Sequence, residues 1–302
     1  MRESRKSYKS LLDPSIVSKL KSLDLIAKKV VEGFIVGLHK SPYHGFSVEF
    51  SEHRSYMQGD SVKDMDWKVY AKTEKFYIKK YEEETNLLSH VIIDSSKSMD
   101  YKHTGSITKL SYAKILASSL IYLMHHQSDA TGLIEYSDEI KKLYPPKTTR
   151  VYTTTLIKEI ANLTAGNATQ TSACLGEISE RINKRGLVIV ISDLLDDPEK
   201  VMESLKRLTY GKNEVIVFQI LDPIEKSFAF GMDAVFVDLE TSEEMTTQPF
   251  QIQKSYQEAF GNFLQKIKSE CLNFGIDYNL IDTSQPFDKA LLSYFKKRRR
   301  LN

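Results

Sequence analysis

Five consecutive apolar residues, Leu187-Val188-Ile189-Val190-Ile191, contain no turn former and run straight into Ser192-Asp193. A run this short and this rich in β-branched side chains fits a strand covered on both faces. A second run, Val91-Ile92-Ile93, ends on Asp94. Further strands are expected at 130–136, 140–144, 215–221 and 276–281, with a short edge strand at 234–239. The 140–144 strand reads as a hairpin partner of 130–136 and stops at Pro145-Pro146. Patterns of helical period stand between them, at 110–127, 150–162, 172–183, 250–274 and 287–299. Strand alternating with helix specifies an α/β fold, a Rossmann-like, mostly parallel sheet with helices on both faces.

Upstream the character is different. Ile16, Leu20, Leu23, Ile26 and Val30 recur at helical spacing within residues 1–32, and Asp13-Pro14 resembles an N-cap with proline in the first turn. From Phe34 to Glu84 short alternating runs take over, at 46–50 and 76–79, separated by turn residues. Two units are therefore expected: residues 1–86, a helical lead-in with a small β-rich leader, and residues 87–302, the α/β domain. The block at 52–68 mixes Arg54, Tyr56, Asp60, Asp66 and the single tryptophan, Trp67. That mixture suits an interface hot spot, and equally a turn in which Arg54 pairs with Asp60 or Asp66.

Composition excludes several functions. A net charge of +2 over 302 residues offers no electrostatic footprint for nucleic acid. The basic end at 296–300 suits a helix C-terminus. Cys174 and Cys271 stand far apart, with neither disulfide nor metal spacing. Residues 1–14 lack the apolar core of a signal peptide, and no apolar run approaches a membrane span, so a cytoplasmic protein is expected. Neither G-x-x-x-x-G-K-[ST] nor a post-strand G-x-G-x-x-G is present to cradle phosphate.

The strand ends are more informative. Asp94-Ser95-Ser96-Lys97-Ser98 spells D-x-S-x-S directly after a buried strand. One carboxylate and two hydroxyls are hard oxygen donors, suited to Mg²⁺ or Mn²⁺, yet the same residues can simply cap a turn. Parallel strands bring their carboxyl ends to one edge of the sheet. Asp193 should therefore lie near Asp94. Thr169, in the small-residue loop 164–171 before a helix, can reach the same edge. Asp94, Ser96, Ser98, Thr169 and Asp193, completed by water, form a donor set for an octahedral divalent cation, and this convergence favours the cation over the cap. An alternative is a Mg²⁺-dependent phosphohydrolase of the haloacid-dehalogenase type, with Asp94 as nucleophile and Asp193, Asp196 and Asp197 at the metal. That chemistry wants a general acid two residues after the nucleophile, where this chain has Ser96.

The order D-x-S-x-S, threonine loop, post-strand aspartate resembles the metal-ion-dependent adhesion site of von Willebrand factor A domains. Two positions depart from that pattern: Asn167-Ala168 stands where the family usually has Gly-Gly, and Leu194 where glycine often follows the last aspartate. Thr171 is the other threonine of that loop. Arg54-x-Tyr56-x-x-Gly59-Asp60, followed by Asp66-Trp67 and Ala71-Lys72, narrows the match. It resembles a bacterial family known as domain of unknown function fifty-eight, in which such a leader precedes a von Willebrand-type domain. The resemblance implies a non-enzymatic, metal-dependent protein-interaction module that works with a MoxR-type AAA+ ATPase, as in Bat (aerotolerance) operons. It further implies Mg²⁺ (or Mn²⁺ or Ca²⁺) as cofactor, capture of the ATPase or its client through an acidic side chain, and a role in assembly or maturation of complexes.

Overall fold

The computed structural model describes residues 13–14, 22–39, 53–55, 70–71, 73, 76–79, 87–166, 170–230, 234–237 and 244–298. Six strands form the central sheet: β3 (Leu88–Asp94), β4 (Ala130–Tyr136), β5 (Ile140–Lys147), β6 (Leu187–Ser192), β7 (Glu214–Leu221) and β10 (Asp277–Asp282). Their order is β10-β7-β6-β3-β4-β5, all parallel but for β5, which runs antiparallel to β4. This is the doubly wound order, in which the chain starts at β3, winds outward to one edge, then returns to β6 and winds to the other. The expected von Willebrand factor A-like α/β sheet is therefore present.

Eight helices accompany it among the described residues: α1 (Leu23–His39), α2 (Lys109–His126), α3 (Arg150–Ala161), α4 (Thr171–Arg181), α5 (Pro198–Tyr210), the short α6 (Pro223–Ser227), α7 (Pro249–Asn273) and α8 (Asp288–Arg298). The period of two in each strand feeds two cores. Val91 and Ile93 of β3, with Ile189 and Ile191 of β6, face the layer of α1, α2, α3 and α8. Ile92, Val188 and Val190 face α4, α5 and α7. All six residues of β6 are buried, so each of its aliphatic side chains contributes about 1.5–3 kcal/mol relative to exposure. Alternation fails as a pattern here because both faces are apolar.

Four expectations are refined. α1 runs to His39, beyond the change of character expected at Phe34, because Ile26, Val30, Val31 and Phe34 keep one apolar stripe against the core. Phe34 meets Phe295 of α8 at 5.2 Å between ring centroids. β5 continues through Pro145-Pro146, which an edge strand tolerates because one row of its backbone groups needs no ladder partner. The strand expected at 234–239 is β8 (Ala234–Val237), and it does not join the main sheet. It pairs with β9 (Glu244–Thr247) in a separate hairpin. In the leader, β2 (Tyr77–Lys79) pairs antiparallel with β1 (His53–Ser55). The rest of the 52–68 block, Trp67 included, and the 46–50 run lie outside the described residues.

Candidate functional site at the carboxyl edge

β3 and β6 are parallel neighbours with Ile93 opposite Ile191, so Asp94 lies beside Ser192. This is the point where the strand order reverses, the place where open α/β sheets generally bind ligands. Asp94 is fully buried. Its Oδ1 accepts from the Ser96 N–H at 2.9 Å. Its Oδ2 accepts from Ser192 Oγ at 2.6 Å, Tyr136 OH at 3.2 Å and Thr171 Oγ1 at 3.5 Å. Burial and the neighbouring Asp193 carboxylate push Asp94 up to about 6, against the pull of the Ser192 and Ser96 hydrogen bonds. Burial likewise raises the Tyr136 hydroxyl, which stays protonated and donates.

A short 3₁₀ turn, Lys97–Asp100, follows and sets the serines. Ser96 is buried, Ser98 is partly open, and their Oγ atoms stand 3.1 Å apart. Adjacent donors of an octahedral Mg²⁺ at 2.0–2.1 Å lie about 2.9 Å from one another, so this hydroxyl pair beside Asp94 fits such an ion. Ser95, pointing the other way, donates to Tyr136 O and Glu135 Oε1. Ser95 O accepts from the Gly166 N–H at 2.6 Å, and Ser137 O from the Gln170 N–H at 3.2 Å. Both flanks of residues 167–169 are thereby pinned to this rim. Thr169 itself lies outside the described residues, and Thr171 is the threonine whose hydroxyl is seen to reach Asp94.

Asp193 is held differently. Its Oδ2 accepts from Lys109 Nζ at 2.8 Å, and its Oδ1 from the Leu195 N–H at 3.2 Å. Lys109 is itself fully buried and donates equally to Glu225 Oε1 at 2.6 Å. Burial would lower its ammonium, but the two carboxylates outweigh burial and raise it. A cation at Asp193 therefore shares that carboxylate with a resident lysine. Lys109 is the residue that motif reading missed, although the sequence holds a signal for it. It is the first residue of α2, after the N-cap Thr108, where the helix dipole disfavours a positive charge. A lysine opening an apolar helix must find carboxylates elsewhere. Asp196 accepts from the Ser172 N–H, and Asp197 caps α5.

Leu194 carries the family's departure into the backbone. Its φ of 54° lies in the left-handed region that favours glycine, yet the position holds a fully buried leucine. The Ser192 Oγ accepts its N–H at 2.9 Å, and the second core packs on its side chain. The tight bend after Asp193 is thus kept without glycine, and packing holds it.

A doubly wound sheet with a D-x-S-x-S loop and a second aspartate at its switch point defines a von Willebrand factor A-like α/β protein. The chain belongs to the family described as "Protein of unknown function DUF58", whose model matches residues 52–262. It is 26% identical over 232 residues to uncharacterized protein Rv1480 of Mycobacterium tuberculosis, which covers 76% of this chain and 72% of the relative. The same figures hold for uncharacterized protein Mb1516 of Mycobacterium bovis. Similar solved structures include conserved hypothetical protein BatB of Bacteroides thetaiotaomicron (TM-score 0.47, 16% identity, 70% of this chain and 98% of that one). An aerotolerance-related membrane protein of Bacteroides fragilis follows at TM-score 0.43 and 20% identity, over 69% of this chain and 98% of that one. Among the described residues, no helix is long and apolar enough to cross a membrane.

Proposed function

We propose that the chain is a metal-dependent protein-interaction module partnered with a MoxR-type AAA+ ATPase or that ATPase's client. The observation that supports this most is the meeting of Asp94, Ser96, Ser98 and Asp193 at the switch point, with Asp94 served only by neutral donors. Asp94, Ser96 and Ser98 would hold Mg²⁺ (or Mn²⁺ or Ca²⁺), with Asp193 and a threonine, Thr169 or Thr171, completing the set. The ion would supply a positive centre that so few charged ligands leave able to attract a further carboxylate. This chain's own part is to orient the donors and exclude competing water. Ser192 and Tyr136 fix Asp94, the 3₁₀ turn carries the hydroxyl pair, and Ser98 is partly exposed. An acidic side chain of the partner fits that arrangement.

The phosphohydrolase alternative draws no support from this geometry. An attacking Asp94 needs a free oxygen, whereas its Oδ2 is engaged by three hydroxyls and Ser96 offers no general acid. The test is affinity capture of a MoxR-type AAA+ ATPase by wild-type chain and by Ser96→Ala, in Mg²⁺ and in EDTA. Capture by wild type in Mg²⁺ alone is expected. Retention by Ser96→Ala in EDTA overturns the proposal.

A further inference from the structure

The outer edge of the sheet carries a feature separate from the carboxyl-edge site. β10 pairs with β7 on one side, and among the described residues no strand lies on its other side. α7 and α8 flank this edge, and with β10 they line a cleft of about 540 Å³. Tyr278, Asn279 and Leu280 contribute from β10, Lys268 from α7 and Lys289 from α8. No acidic residue lines it, since Asp277 and Asp282 close the two ends of the strand outside the cleft. An edge strand presents backbone N–H and C=O groups to whatever lies alongside, and proteins commonly blunt such edges with lysine or proline inside the strand. β10 has neither.

Gly261 is the second observation. It sits in the interior of the 25-residue α7, where glycine is destabilising relative to alanine because the unfolded chain has more freedom to lose. It lines the cleft, and a Cβ built on it would meet nothing within 4 Å. Packing among the described residues therefore gives no reason for the missing side chain. A backbone drawn close to the helix would give one.

We propose that this cleft binds an extended, acidic segment of a partner protein as an added strand on β10. Lys268 and Lys289 receive its carboxylates, and bare Gly261 lets it lie close to α7. Addition of a strand draws affinity from main-chain hydrogen bonds and specificity from the side chains on either hand. Charge argues against this chain's two ends and against a second copy as the occupant. This chain's own terminal stretches are basic, with Arg2, Arg5, Lys6 and Lys9 at one end and Lys296 to Arg300 at the other. A second copy docked edge to edge would set the same lysines against each other.

The experiment pans a phage-displayed library of random dodecapeptides on the full chain. Enriched peptides are then measured by fluorescence anisotropy against wild type, Gly261→Ala, Gly261→Leu and Lys268→Glu/Lys289→Glu. Acidic, β-prone peptides are expected, with affinity reduced roughly tenfold or more by Gly261→Leu and by the double charge reversal. Gly261→Ala is expected to melt at or above the wild-type temperature while binding more weakly. Three results overturn the proposal: peptides that bind all variants alike, a lower melting temperature for Gly261→Ala, or a wild-type dimer in light scattering that Gly261→Leu dissociates.

Discussion

Asp94 and Asp222 occupy equivalent places, each following a buried strand at the carboxyl edge and each fully buried, yet they behave in opposite ways. Burial alone would raise both. Asp222 instead falls to about 2, because it accepts the N–H groups of His103, Ile224 and Gly105, with Thr104 adding its hydroxyl. It caps α6 and ties the 103–105 loop to the end of β7 across more than a hundred residues. Gly105 is required there, since a Cβ would collide with the Thr283 hydroxyl. Asp94 has one N–H, several hydroxyls and a second carboxylate nearby, and it rises to about 6. A strand-end aspartate is thus a structural staple, with a depressed pKa, when N–H groups converge on it, and a carboxyl that burial raises when they do not.

The largest effect should come from removing the resident cation. Lys109→Met leaves Asp193 and Glu225 buried with no counter-charge, and about 3–5 kcal/mol should be lost in urea denaturation at pH 7. Adding Glu225→Gln to that variant should recover part of the loss.

Asp222→Asn should cost about 2 kcal/mol, the scale of charge-assisted hydrogen bonds. Its folded pKa is depressed, so its contribution is present at neutral pH and is lost as pH falls from about 4 through about 2. A pH series of melting temperatures should show the wild-type advantage over Asp222→Asn disappearing in that window.

Asp94→Asn should move the other way. The folded pKa of Asp94 is raised, so in the absence of metal the wild type loses stability as pH rises from about 4 through about 6. The asparagine variant should then be more stable at pH 7 by about 1–2 kcal/mol. Mg²⁺ should stabilise the wild type and leave the variant unchanged. If Asp94→Asn is destabilised as much as Asp222→Asn, the two aspartates do the same work and the contrast fails.

Thr171→Val should have the smallest effect, under about 1 kcal/mol, because its hydroxyl only reaches Asp94 at 3.5 Å. A larger loss of Mg²⁺-induced stabilisation in this variant than in Thr169→Val would assign the threonine role to Thr171.

Much of the fold was legible because buried parallel strands announce themselves. Val91-Ile92-Ile93 and Leu187 to Ile191 can hardly be anything else, and helices of good period between them fix the class. The same two strands delivered Asp94 and Asp193, since parallel neighbours must end at one edge. The short strand expected at 234–239 pairs with β9 outside the main sheet, because a short apolar run does not say which strand it will pair with. Likewise 52–68 reads as either interface or turn, because side-chain types without partners leave both open.

The sequence by itself determined the doubly wound class and the rim on which three loops meet, because side-chain period and strand direction are local properties of the chain. Only the tertiary structure decided how each carboxylate on that rim is served. Asp222 meets N–H groups from a loop more than a hundred residues away, Asp193 meets a lysine from the start of α2, and Asp94 meets three hydroxyls and a single N–H. Electrostatic character in a buried site depends on the donors that converge through space, and those come from segments whose meeting no local pattern encodes.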